Sequence, residues 1–188
     1  MIYCPTWRHS RPARRDDPDR AGPGHGVPDA HAQVGYGAHQ RRGGGGPRSR
    51  ANRLGTSALY LALEPETAIR EYQQLSPLMP PGTLVSYTVH IASVVDFRGG
   101  YDAEHWSELW EEFHCDWREL WFNQRVEPPS WVLADEVLAA GAKGILFASK
   151  LGAGGLNLVV YNEMLAADDT LQVYDPAGAL PKNQDSWR

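Results

Sequence analysis

The sequence predicts a mixed α/β domain of the α+β kind over residues 50–188, behind a leader, residues 1–49, that is read as irregular. Strand-sized apolar runs and amphipathic helical stretches follow one another from Ser57 onward, with turn residues between them. The composition changes abruptly near Arg50. The chain's 188 residues suffice for one domain with a sizeable core and fall short of two.

The leader is the simpler half. Residues 1–50 contain no Leu, Phe, Lys, Glu or Asn, while Gly, Arg and Pro fill 24 positions. Without a helical or strand period, such a segment buries too little apolar surface to offset its ordering entropy. It carries nine Arg against four Asp, a charge of +5, whereas the remaining 138 residues carry −10. An acidic domain without a basic stripe argues against direct binding of nucleic acid, and the leader lacks interleaved aromatics that stack bases. Cys4 and Cys115 are far apart and form no Cys-x-x-Cys, which fits a reducing compartment. The longest apolar runs are strand-sized, so no membrane span is expected, and the first residues do not resemble a signal peptide. The expected location is therefore cytoplasmic.

Within the domain, Ser57 to Leu63 reads as a short buried strand. Glu64-Pro65-Glu66-Thr67 opens a helix, with Pro in the first turn and acids at the positive end of the dipole. Its apolar stripe is Ala68, Ile69, Tyr72 and Leu75. Pro80-Pro81-Gly82 marks a turn before the alternating strand Val85, Tyr87, Val89, Ile91, and Val94 to Phe97 gives another strand. Trp106, Trp110, Phe113, Trp117 and Trp121 recur at spacings of four and three and predict one amphipathic helix, whose aromatic face is read as packing rather than as a ligand platform. Ser130 is expected to cap a helix that Gly141 ends. Gly144 to Ser149 and Leu156 to Tyr161 are core strands joined by a glycine-rich hairpin, and Thr170 to Tyr174 is a last strand before the Asp175-Pro176 turn.

Much chemistry is absent from this pattern. No His, Cys, Asp or Glu set has metal-ligand spacing, and His90, His105 and His114 read as surface or packing histidines. Neither a Gly-x-Ser-x-Gly elbow nor a phosphate-binding loop occurs, and Gly152 to Gly155 opens no helix. What remains is Arg50 or Arg53 before a strand carrying Tyr60, Glu71 on the next helix, and Ser149 at the end of a buried strand. Each has a plain alternative from spacing alone: Glu71 as a solvated helix acid, Tyr60 as core, Ser149 as a turn residue.

These residues stand in a recognisable order. Arg50-Ala-Asn-Arg-Leu-Gly, Ala58-Leu-Tyr-Leu-Ala62 and Glu71, then Gly144-Ile-Leu-Phe-Ala-Ser149, Asn157-Leu-Val-Val and Asp175-Pro176 to Leu180-Pro181 with Ser186-Trp187, resemble the motifs of the RES-domain family, named for its Arg, Glu and Ser. The resemblance implies an ADP-ribosyltransferase-like fold of two small, mostly antiparallel sheets around a cleft for NAD, with flanking helices. It implies an NAD-consuming toxin of a type II toxin–antitoxin pair, partnered by a helix-turn-helix antitoxin, with NAD as substrate and no metal. The reaction implied is cleavage of the nicotinamide–ribose bond by hydrolysis or phosphorolysis. Protein ADP-ribosylation, or a catalytically dead remnant that only binds an antitoxin, is the alternative. On this resemblance Glu71 stabilises an oxocarbenium-like ribose, Tyr60 faces nicotinamide or ribose, and Ser149 bonds the nicotinamide amide or a phosphate. Arg50, with Arg53 and Asn157, is assigned to binding NAD.

RES proteins carry a further Arg in a Tyr-Arg motif upstream, followed by a Thr-Pro-Lys-Trp-Ala segment, and the leader has neither as written. Read from the second base of each codon, residues 27–46 permit both in the right order and spacing: Gln33-Val34, for example, yields only Lys or Arg there. The leader is therefore expected to be a frameshifted translation of the RES amino terminus, with the frame restored near Arg48 to Arg50, and this polypeptide is expected to be weakened or inactive.

Overall fold

The computed structural model describes residues 30–34 (backbone only), 48–74, 78, 82–151 and 154–180. Its strands are β1 (Ala30–Val34), β2 (Ala58–Ala62), β3 (Val85–His90), β4 (Val94–Phe97), β5 (Gly144–Ala148), β6 (Leu156–Tyr161) and β7 (Thr170–Val173). Two α-helices among the described residues, α1 (Pro65–Gln73) and α2 (Pro129–Ala139), accompany them. Among the described residues the hydrogen-bonded order is β4-β5-β6-β2-β1-β3-β7, and only β4 with β5 runs parallel. A single residue pair, Gln33↔Ala62, links β2 to β1. The order thus divides there into a four-stranded half and a three-stranded half, the two small sheets expected.

Strand alternation gives each half its packing. On one face of the larger half, Val95, Phe97, Ile145, Phe147, Val159 and Tyr161 are buried beneath Trp110, Phe113 and α2 residues Leu133, Ala134 and Val137. The opposite face presents Leu61, Leu146, Leu158 and Val160, which cluster with Val89 and Ile91 at the three-stranded half. Tyr60, Ala62, Asn157 and Val159 fall on the first face: Ala62 pairs with Asn157, and Tyr60 with Val159.

Three expectations need correcting. The leader is not irregular throughout, because Ala30–Val34 pairs along its whole length with β3. Ala-His-Ala-Gln-Val does alternate small or apolar with polar residues, a signal lost in the Gly, Arg and Pro around it. The single helix expected from Trp106 to Trp121 is instead a 3₁₀ segment, Glu108–His114, and a π segment, Glu119–Gln124, separated by extended backbone at Cys115. Asp116 restarts the chain, its Oδ1 accepting the Glu119 N–H at 3.1 Å. The aromatic face is packing as expected: Phe97 contacts the rings of Trp106, Trp110 and Phe113. Ser130 is not a cap, because α2 begins one residue earlier, and its hydroxyl is buried facing the Cys115 thiol at 3.6 Å.

Helix ends behave as the sequence implies. Pro65 opens α1 directly after Glu64. Gly141, at φ 78°, closes α2. Its N–H bonds the Leu138 carbonyl and the Ala142 N–H the Val137 carbonyl, a Schellman pair that requires the left-handed backbone glycine tolerates. Leu75, Pro80, Pro81, Gly152, Pro181, Ser186 and Trp187 lie outside the described residues. So does Cys4.

Candidate active site around Glu71

Glu71 sits near the end of α1, half-buried, and two donors converge on one of its oxygens. The Ser149 hydroxyl donates to Glu71 Oε1 at 2.7 Å, and Asn157 Nδ2 donates to the same atom at 2.6 Å. The strand order explains the meeting. Ser149 follows β5 and Asn157 lies at the start of β6, so both stand at the mouth of one hairpin, closed by the Ser149 N–H on the Gly155 carbonyl at 2.8 Å. The Leu151 N–H occupies Ser149 Oγ as an acceptor at 3.1 Å, which turns the hydroxyl proton to Glu71.

Arg50 lies in a tight turn, residues 49–53, that the structure holds unusually firmly. The Ala51 N–H donates to the Tyr60 hydroxyl, and the Tyr161 hydroxyl donates to the Ala51 carbonyl, both at 2.9 Å. The Tyr60 hydroxyl donates in turn to Asn52 Oδ1 at 2.9 Å, while Asn52 Nδ2 reaches the Thr56 carbonyl at 3.1 Å. Trp131 Nε1 donates to the Ser49 carbonyl at 2.7 Å. Burial pushes the Tyr60 phenol up to about 12, partly offset by the hydrogen bonds and the nearby Arg50 charge, and burial raises Tyr161 as well. Tyr60 is therefore neutral and committed through its hydroxyl to the turn.

The turn delivers Arg50 toward the segment after Phe113. Arg50 Nη1 donates to the Cys115 carbonyl at 2.8 Å. Beside it, the half-buried His114 ring packs against Phe97, Phe113 and Phe147. Burial, helped by the positive charges of Lys150 and Arg50, holds its imidazole down at about 4, hence neutral. Phe147 is the cross-strand partner of Asn157. Arg50, His114, Phe147, Asn157 and Glu71 thus form one continuous series of neighbours over a single sheet face.

Of the six residues singled out in the sequence, Glu71, Ser149 and Asn157 meet directly. Arg50 lies in the turn that Tyr60, on β2, holds through its hydroxyl. Arg53 goes elsewhere: its guanidinium pairs with Glu127 at 2.7 Å and with Asp135 on α2, which ties the turn to that helix. Sequence reasoning missed Asn52, Tyr161 and Glu64. Asn52 was visible in the Arg50-Ala-Asn motif, and its near-complete burial, 1% exposed, shows why an amide stands there. Among the described residues no group of three His, Cys, Asp or Glu side chains could hold a metal ion. No helix among them is long and apolar enough to cross a membrane.

A family model for the RES domain matches residues 17–183. The chain belongs to the RES domain family. Among solved structures, a chain of the M. tuberculosis MbcT–MbcA toxin–antitoxin complex is similar to this RES domain, with a TM-score of 0.51 at 20% identity. The similarity covers 78% of this chain and 82% of that one, and at such identity it speaks for the fold. No curated protein matches. The family match begins upstream of Arg50 and includes β1, so the RES domain reaches into what the sequence presents as a leader.

Proposed function

We propose that this RES domain cleaves the nicotinamide–ribose bond of NAD, by hydrolysis or phosphorolysis, and acts as the toxin of a toxin–antitoxin pair. The observation that carries this reading is the Glu71 carboxylate, oriented through Oε1 by Ser149 and Asn157. Loss of nicotinamide leaves positive charge on the ribose. A fixed carboxylate offsets that charge best when it needs no reorganisation as the charge appears. Neither of the two bonds uses Oε2, which is the oxygen assigned to the ribose hydroxyls or the developing cation. The C–N bond breaks with its electron pair going to nicotinamide, which leaves as a neutral base, and the anomeric carbon is then taken by phosphate or by water, which gives up a proton to solvent.

The other residues receive roles consistent with their contacts. Arg50, presented by a turn that two tyrosines hold, binds the pyrophosphate. Tyr60 contributes its ring and the placement of that turn. Asn157 and Ser149 act on NAD through Glu71, and Ser149 can also meet the nicotinamide amide. Arg53, engaged by two carboxylates, is assigned to holding the turn on α2. A toxin's partner would be an antitoxin, expected from the family resemblance to carry a helix-turn-helix, and the similar solved chain comes from a toxin–antitoxin complex.

The test is to incubate purified protein with NAD labelled in the ADP-ribose part and follow free nicotinamide. Nicotinamide release that Glu71→Gln reduces at least about 100-fold supports the reading. Label transferred to protein would replace hydrolysis with ADP-ribosylation. No release from this chain or from a version carrying the second-frame amino terminus would leave only an antitoxin-binding remnant.

A further inference from the structure

Glu71 can work only if α1 is held at a fixed height and rotation against β6, and the structure shows a second contact between them, two turns upstream. Glu64, the residue before α1, places Oε2 within 3.0 Å of both the Thr67 hydroxyl and the Leu156 N–H, each of which donates to it. Leu156 also returns its carbonyl to the Leu63 N–H at 2.9 Å. Leu156 and Asn157 therefore grip the same helix at two points, one through the backbone at Glu64 and one through the side chain at Glu71.

Gly155 completes the arrangement. It is buried, and a Cβ built there would overlap the Thr67 hydroxyl and crowd its methyl group. The helix can approach β6 this closely only because position 155 carries no side chain. The Gly155 carbonyl also accepts the Ser149 N–H, so the contact that admits α1 is part of the hairpin mouth that supplies Ser149.

We infer that Glu64, with Thr67 and Gly155, is a positioning clasp that sets the register of α1 on β6 and thereby holds the Glu71 carboxylate against Ser149 and Asn157. A helix shifted by about 1 Å would misplace that carboxylate relative to a bound ribose, an error of the size that costs on the order of 100-fold in rate. The inference rests on Glu71 acting in NAD cleavage, but its geometry can be read separately.

Four variants of the full chain test it: Glu64→Ala, Glu64→Gln, Gly155→Ala, and Gly155→Ala combined with Thr67→Ala. Two readouts are taken, kcat and KM for nicotinamide release from NAD, and the ¹³C resonance of the Glu71 carboxyl group. Glu64→Ala and Gly155→Ala should lower kcat by about 10- to 100-fold while KM stays within about twofold, and both should shift the Glu71 resonance. Glu64→Gln keeps a carbonyl acceptor for Leu156 and should recover most of the rate. Thr67→Ala removes the hydroxyl and methyl that a Cβ at 155 would strike, at the loss of one of the two hydrogen bonds to Glu64, so the double variant should recover part of the rate and resonance lost in Gly155→Ala. The inference is overturned if folded Glu64→Ala leaves kcat and the resonance unchanged, or if the double variant is no better than Gly155→Ala alone. Should neither this chain nor its version with the second-frame amino terminus release nicotinamide, the proposed function fails, and the resonance alone still decides the clasp.

Discussion

Two donors on a single carboxylate oxygen make Glu71 sensitive to each in a different way. Removing Asn157 Nδ2 by Asn157→Ala leaves the Ser149 bond and opens a gap in a buried site, whereas Ser149→Ala also frees the Leu151 N–H. The turn around Arg50 gives a plainer expectation. Tyr60→Phe leaves the Ala51 N–H and Asn52 Oδ1 without the phenol between them, which should cost about 1–3 kcal/mol in a denaturant titration. His114 supplies the pH dependence. Its folded value is depressed to about 4, so the unfolded chain takes up a proton first on acidification, near the ordinary histidine value of about 6.5. The contribution to stability is complete above that pH and is lost as pH falls toward about 4, where it levels off. Replacing His114 with Phe should flatten the pH dependence of the melting temperature in that window while leaving the region above pH 7 unchanged in shape.

Elements, more than single residues, show where a sequence can be read. β2, β5 and β6 were legible because strands covered on both faces read as short continuous apolar runs, as in Ala58 to Ala62, Gly144 to Ala148 and Leu156 to Tyr161. The start of α1 was legible from Pro65 and the end of α2 from Gly141, both local backbone effects. The Trp106 to Trp121 stretch was not, because spacings of three and four suit 3₁₀ and π turns wrapped on Phe97 as well as they suit an α-helix. What breaks the helix is local hydrogen bonding at Asp116, which periodicity does not register. In the site, Glu71, Ser149, Asn157 and Arg50 were found by motif, but the committed state of Arg53 and the clasp at Glu64 depend on pairings across 74 to 92 residues of chain. Close approach also predicts a cost in the sheet. A Cβ on Gly144 would overlap the Val159 carbonyl in the neighbouring strand, so Gly144→Ala should destabilise by at least about 1 kcal/mol, read by thermal unfolding.

At the scale of the whole molecule, two sheet halves meet through a single backbone pair and a shared apolar cluster, and the first strand of one half comes from the leader. A strand that must lie between β2 and β3 is difficult to reconcile with a dispensable appendage. The same segment, read in the second frame of its codons, permits the Tyr-Arg and Thr-Pro-Lys-Trp-Ala motifs that RES proteins carry there. The nucleotide sequence over codons 27 to 46 should spell those motifs, and another string in that frame would end the frameshift reading. The central claim, an NAD-cleaving site built on Glu71, meets its most direct test in one assay: free nicotinamide released from NAD by the protein carrying that restored amino terminus, beside its Glu71→Gln variant. Steady turnover that falls at least about 100-fold in the variant is the result predicted. Equal nicotinamide release by both proteins, or none from the parent, would contradict it.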